Sequence, residues 1–154
     1  MSEQITKPQV LSFLKSVAIM SLSATNEDKP LSTILLFAVD NNFNFYFVTR
    51  AETYKAKTII NNPKVSLSVW EHKKMLVQVD GVAKQIKNPT EIDNALDIIV
   101  AATEPMKDFW PPVVRFKGQG DYVIFKIKPT WVRALNITNN SIRQDETPFT
   151  EISI

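Results

Sequence analysis

Residues 46 to 57 read YFVTRAETYKAK, and Thr49, Arg50, Thr53, Tyr54 and Lys55 are the groups there whose types and spacing could do chemistry. The apolar, aromatic run ending at Thr49 has strand composition, and Thr53 stands where a residue caps a helix. A helix start presents backbone N–H groups without partners at the positive end of the helix dipole, so it suits an anion. Lys55 falls in the first helical turn, where an acidic residue would complement the dipole better, so its presence asks for a bound negative group. A phosphate meets that need. Thr49 adds a hydroxyl from the strand end, while Arg50 and Tyr54 extend the cage or lie against an aromatic ring. A plainer account also fits, in which Thr53 only caps the helix and Lys55 and Lys57 are solvated.

Other chemistry is thinly represented. His72 is the one histidine, and it sits among Glu71, Lys73 and Lys74 in a charged turn, whereas a metal site or a Ser-His-Asp triad needs ligands or partners on converging elements. With no cysteine there is no thiol nucleophile, thiolate metal site or disulfide, and three glycines (Gly81, Gly118, Gly120) write neither a Walker loop nor a GxGxxG. Gly118-Gln119-Gly120 reads as a turn before a strand. Glu91 and Asp93 decorate the acidic first turn of a helix. Side chains alone offer little catalytic machinery, so a cofactor is expected to carry any reaction.

The 154-residue chain fits one domain, residues 1–154, with 44% hydrophobic and 22% charged residues, close to the globular average. A net charge of +2 gives no field of the kind that binds nucleic acid. The N-terminus lacks an uninterrupted apolar stretch, so neither a signal peptide nor a membrane partner is expected and the cytoplasm is the default location.

The elements that must position the junction follow from periodicity. Thr6 and Gln9 form a capping box for a first helix, with Pro8 in its first turn and Val10, Leu11, Phe13, Leu14 and Val17 on one face. Extended sequence from Val17 to Ala24 meets the turn NEDKP. The runs 31–40 and 43–49 are strands joined through Asp40-Asn41-Asn42. A short helix over 53–62 ends at NNP, because the residue before proline resists helical geometry. Strands 64–71 and 75–86 follow, with a bulge or bend expected at Gly81. Pro89 opens a helix that the prolines of EPMKDFWPP break, and DYVIFKI and TWVRALNI make a final pair of strands before a polar tail. Roughly six or seven strands with two or three helices make an α+β, mainly β pattern, and the short turns favour an antiparallel sheet closing into a barrel.

The run YFVTRAETYKAKTIINNPKVSLSV (46–69), followed by VQVDGVAK (77–84), resembles the pyridoxamine 5'-phosphate oxidase-like family of FMN-binding split barrels, in its general stress protein-like branch. The likeness covers about the first 85 residues. It implies a six-stranded antiparallel Greek-key split β-barrel with peripheral helices, in which Thr49, Thr53, Tyr54 and Lys55 contact FMN, chiefly its phosphate, at the interface of a homodimer. Where the full oxidases carry an Arg, a Lys and a Gln near the flavin, this chain has Ser32, Phe37 and Leu76; Ser32 can still contribute a hydroxyl. Trp110 or Trp131 is a candidate for stacking near the ring. The oxidases' C-terminal Arg- and His-bearing motif is missing, so a flavin-dependent oxidoreductase-like protein is expected rather than a true pyridoxamine 5'-phosphate oxidase. A non-catalytic module that carries a flavin, a deazaflavin or haem without turnover, or a structural dimer that has lost its cofactor, are the alternatives.

Overall fold

A computed structural model of the chain describes residues 4–106, 108, 121–138 and 148–154. Trp110 and Gly118-Gln119-Gly120 lie outside the described residues. In chain order the elements are α1 (Lys7–Ser16), β1 (Ile19–Asn26), β2 (Lys29–Leu36), β3 (Ala38–Val39), β4 (Phe45–Arg50), α2 (Tyr54–Asn61), β5 (Lys64–Glu71), β6 (Met75–Gln85), α3 (Pro89–Thr103), β7 (Tyr122–Asn136) and β8 (Phe149–Ile152).

The strands form one antiparallel sheet in the order β2-β1-β5-β6-β7-β4-β3, with β8 added to β7. β2 and β3 stand at opposite ends of that path, yet only Phe37 separates them in the chain. The sheet must therefore curl until its ends meet, which makes a barrel. Phe37 is fully buried, its N–H donates to Ala18 O at 2.9 Å, and its ring lies 5.8 Å from that of Phe45. β2 lies against β4 with no hydrogen-bonded ladder between these described strands, and that seam is the split.

Alternation along the strands fills the interior with Leu22, Phe45, Phe47, Val77 and Phe125. The capping box of α1 forms as its sequence requires, with Thr6 N donating to Gln9 Oε1 at 2.8 Å and Gln9 N to Thr6 Oγ1 at 3.4 Å. Val10, Phe13 and Leu14 then join the same core. α3 covers the outside of the barrel, where Ala95, Leu96 and Ile99 pack on Ala38, Tyr46 and Ile124. Asp40 fixes the β3–β4 turn, its carboxylate accepting from Asn42 N, Asn44 N, Asn44 Nδ2 and Tyr46 OH at 2.8–3.0 Å.

Three features depart from the strands expected, and the described residues hold eight. Residues 31–40 are two strands, because the chain passes at Phe37 from pairing with β1 to pairing with β4. DYVIFKI and TWVRALNI are one strand, β7, which runs through a bulge instead of ending at it. The polar tail holds β8, whose Ile152 reaches the core.

Candidate functional site

β4 delivers the site. Its ladder with β7 sets Thr49 opposite Val123 and Arg50 opposite Tyr122, and the two-residue strand period turns Phe45, Phe47 and Thr49 inward and Arg50 outward. Thr49 is 6% exposed. The chain then turns into α2, whose N-cap is Thr53: its Oγ1 accepts from Ala56 N at 3.3 Å and donates to Arg50 O at 2.8 Å. Thr49 Oγ1 and Thr53 Oγ1 are 3.4 Å apart, and Lys55 Nζ donates to Thr49 Oγ1 at 3.2 Å. Because the Thr53 proton is engaged by Arg50 O, the Thr49 hydroxyl is the one of the two that can turn its proton to a ligand.

Lys55 has an unusual setting for a first-turn lysine. Desolvation by burial holds its pKa below the ordinary 10.5, and among the described residues no carboxylate pairs with it. A cation taken partly out of water without a counter-charge is unfavourable, and a bound anion would offset that cost. The backbone N–H groups of Tyr54 and Lys55, at the start of α2, have no partner in the turn and point to the same end of the helix. The donor set is a hydroxyl, an ammonium and main-chain amides. It fits a phosphate group.

The other sequence candidates are placed differently. Arg50 lies outside, paired with Glu52 at 2.6 Å with both side chains more than half exposed. Tyr54 leans on the β1–β2 hairpin tip, where its OH accepts from Asn26 Nδ2 at 3.2 Å and Lys29 Nζ lies 5.5 Å over its ring. Ser32 is exposed on β2 opposite Ser23, and no hydrogen bond links it to Thr49, Thr53 or Lys55. Phe37 is core. Leu76 faces outward between Trp70 and Leu135. Trp131 also faces outward, its Nε1 donating to Glu151 at 3.1 Å, and lies about eight residues, or ~26 Å of strand, along β7 from Val123. Asn26 and Lys29 were not foreseen at the site, since nothing in a hairpin turn says which helix it will touch. Asn62, read only as a helix stop, also ties α2 to β1 through Nδ2 to Thr25 O at 3.3 Å.

The sequence profile for pyridoxamine 5'-phosphate oxidase matches residues 6–136. The chain belongs to this family. Solved structures share the fold of this pyridoxamine 5'-phosphate oxidase-like chain. An FAD-binding protein from Mesorhizobium loti is 19% identical, with 86% of this chain and 95% of that one covered and a TM-score of 0.68. General Stress Protein 26 from Bacillus anthracis is 22% identical over 83% and 92% of the two chains, TM-score 0.62. A heme binding protein from Mycobacterium smegmatis is 11% identical over 98% of this chain and 59% of its own, TM-score 0.73. No curated protein matches the sequence. The oxidase-like chain shows, among its described residues, no group of three or more His, Cys, Asp or Glu that could hold a metal, and no helix long and apolar enough to cross a membrane.

Proposed function

We propose that the protein binds FMN and serves as a flavin-dependent oxidoreductase-like protein, with the cofactor's phosphate held by Thr49, Thr53 and Lys55. The observation that carries this reading is Lys55: a half-buried ammonium, hydrogen-bonded to a buried threonine beside a helix start and lacking a carboxylate partner. A flavin, when bound, would supply hydride or electron transfer. The chain's own part is to bind and orient. Lys55 and the Thr49 hydroxyl would neutralise and ligate the phosphate, the α2 amides would add main-chain donors, and the Thr53 cap would keep that helix start in register with β4. Tyr54, braced by Asn26 and Lys29, would form one rim. The protein named FAD-binding among similar structures supports a flavin, and the heme binding protein among them makes haem the rival ligand.

The family likeness also supports a homodimer, as does the outer sheet face, where Trp70 is 60%, Ile34 53% and Ile19 37% exposed. The purified protein is expected to show flavin absorbance bands or to take up FMN in a titration. Lys55→Ala should weaken that binding by about 1.5–3 kcal/mol, roughly 10- to 100-fold, through loss of a charged hydrogen bond. A Soret band, or a deazaflavin bound in preference to FMN, would overturn the FMN assignment; equal affinity in Lys55→Ala would overturn the placement of its phosphate.

A further inference from the structure

The β1–β2 hairpin and α2 meet at Tyr54, the first residue of the helix. Asn26 and Lys29 are directly opposite in the β1–β2 ladder, and such partners project from one face, so both side chains reach the same neighbour. Asn26 Nδ2 donates to Tyr54 OH at 3.2 Å, and Lys29 Nζ lies 5.5 Å from the centre of the Tyr54 ring. The register that allows this is set by a turn of two residues, Glu27 and Asp28. Such turns need a positive φ, which Glu27 supplies at 55°. Asn62 Nδ2, donating to Thr25 O at 3.3 Å, fastens the other end of α2 to the same hairpin. The hairpin tip is thus tied to the helix at both of its ends.

Lys29 has no carboxylate partner among the described residues. Glu27 and Asp28 adjoin it in the turn, yet neither forms an ion pair with it, and Glu52 beyond them is engaged by Arg50. An ammonium resting against one aromatic face keeps N–H groups for another acceptor. Lys55 comes to the start of α2 from the β4 side, through Thr49; Lys29 comes to it from the hairpin side, over Tyr54. Two unbalanced cations thus stand by one helix start, itself the positive end of a dipole, with the Tyr54 and Lys55 N–H groups free of partners. A ligand with a single negative charge offsets only part of that field. A terminal phosphate monoester carries about −1.5 to −2 at pH 7, whereas each phosphorus of a dinucleotide carries a single charge.

We propose that Lys29 is a second cationic ligand of the cofactor phosphate, and that the Lys29–Lys55 pair selects a terminal phosphate monoester, hence FMN over FAD and over riboflavin. This deepens the reading of Lys55 as a phosphate partner and rests on it. Asn26 and Tyr54 are positioning residues that hold the second ammonium at the helix start.

Calorimetric titrations of the full chain with FMN, FAD, riboflavin and phenyl phosphate, a monoester without a flavin, test this. Wild-type protein should hold FMN at least about tenfold more tightly than FAD or riboflavin. Lys29→Met keeps the apolar stem on Tyr54 and removes the charge. It should weaken FMN and phenyl phosphate at least about threefold, with riboflavin binding and the urea midpoint unchanged, while Lys29→Arg retains most of the affinity. Equal FMN affinity in Lys29→Met would overturn the assignment, and so would an equal loss of riboflavin, which marks a packing role. FAD bound as tightly as FMN would overturn the selectivity. Phenyl phosphate held through Lys29 by a chain that takes no flavin would support the two-lysine site and overturn the FMN reading; a chain that takes neither would overturn both.

Discussion

The Lys55 ammonium is partly buried beside Thr49, and desolvation lowers its pKa from 10.5. In the pH interval between the folded-state value and 10.5 the unfolded chain holds more protons than the folded one, so stability rises with pH there. The penalty for keeping the cation is at full strength at neutral pH and is relieved as pH climbs through that interval. Urea midpoints of the ligand-free protein should therefore increase toward pH 10.5 relative to those of Lys55→Met; parallel profiles for the two proteins would remove the desolvated cation from the account. Thr58 gives a second test at this scale. Its Oγ1 is buried in α2 without a hydrogen-bond partner among the described residues, so Thr58→Val, which keeps the shape and deletes the hydroxyl, should stabilise by about 1 kcal/mol in thermal or urea melts. A lowered midpoint would mean that the hydroxyl is paired after all. Thr49, Thr53 and Lys55 could be grouped from sequence because a strand end, a cap and a first turn are local geometry. The directions taken by Arg50 and Tyr54 could not. They depend on which face of β4 the barrel buries and on where the β1–β2 tip lands, and both are set by distant pairing.

Helix caps were readable for the same local reason: Thr6 and Thr53 bond as their sequence positions dictate. Strand β7 was not, and its failure has a specific cause. The inward residues change from odd to even numbers across Pro129, Thr130 and Trp131, so the alternation looks like two strands with a break. The chain in fact stays paired to β6: Asp80 sits opposite Trp131 and Gly81 opposite Pro129, leaving Thr130 extra, and Thr130 Oγ1 donates to Asp80 O at 3.1 Å. Gly81 was expected at a bulge or bend, and it is required there. A Cβ at that position would lie 2.7 Å from Lys128 O and 2.8 Å from Ile127 Cγ2. Backbone oxygen does not yield as a flexible side chain does, so Gly81→Ala should cost about 1–3 kcal/mol of stability, read from the urea midpoint. Unchanged stability would show that the β6–β7 crossing has room the structure denies.

At the scale of the molecule, sequence supplied the class, a split barrel of antiparallel strands with outer helices, but not how its edges close. The run ILLFAV (34–39) is apolar throughout, so nothing in it marks Phe37 as the residue where one sheet end hands over to the other. Closure removes most sheet edges, yet it leaves an outer surface that α3 covers only over β3, β4 and β7. The rest carries a band of outward apolar residues whose register runs from Trp70 to Leu76, Leu135 and Phe149, with Ile19 opposite Leu36 on the neighbouring strands. Serines 21, 23, 66 and 68 lie beside it and let another sheet approach closely. A surface of this kind, with a tryptophan in its middle, has the make-up of an interface in which one aromatic residue carries much of the energy. If a second copy covers it, sedimentation velocity should show a dimer, and Trp70→Glu should raise the dimer dissociation constant at least ~30-fold, the equivalent of about 2 kcal/mol, with circular dichroism unchanged because Trp70 supports little of the core. A wild-type chain that sediments as a monomer at tens of micromolar would leave this face without a second copy.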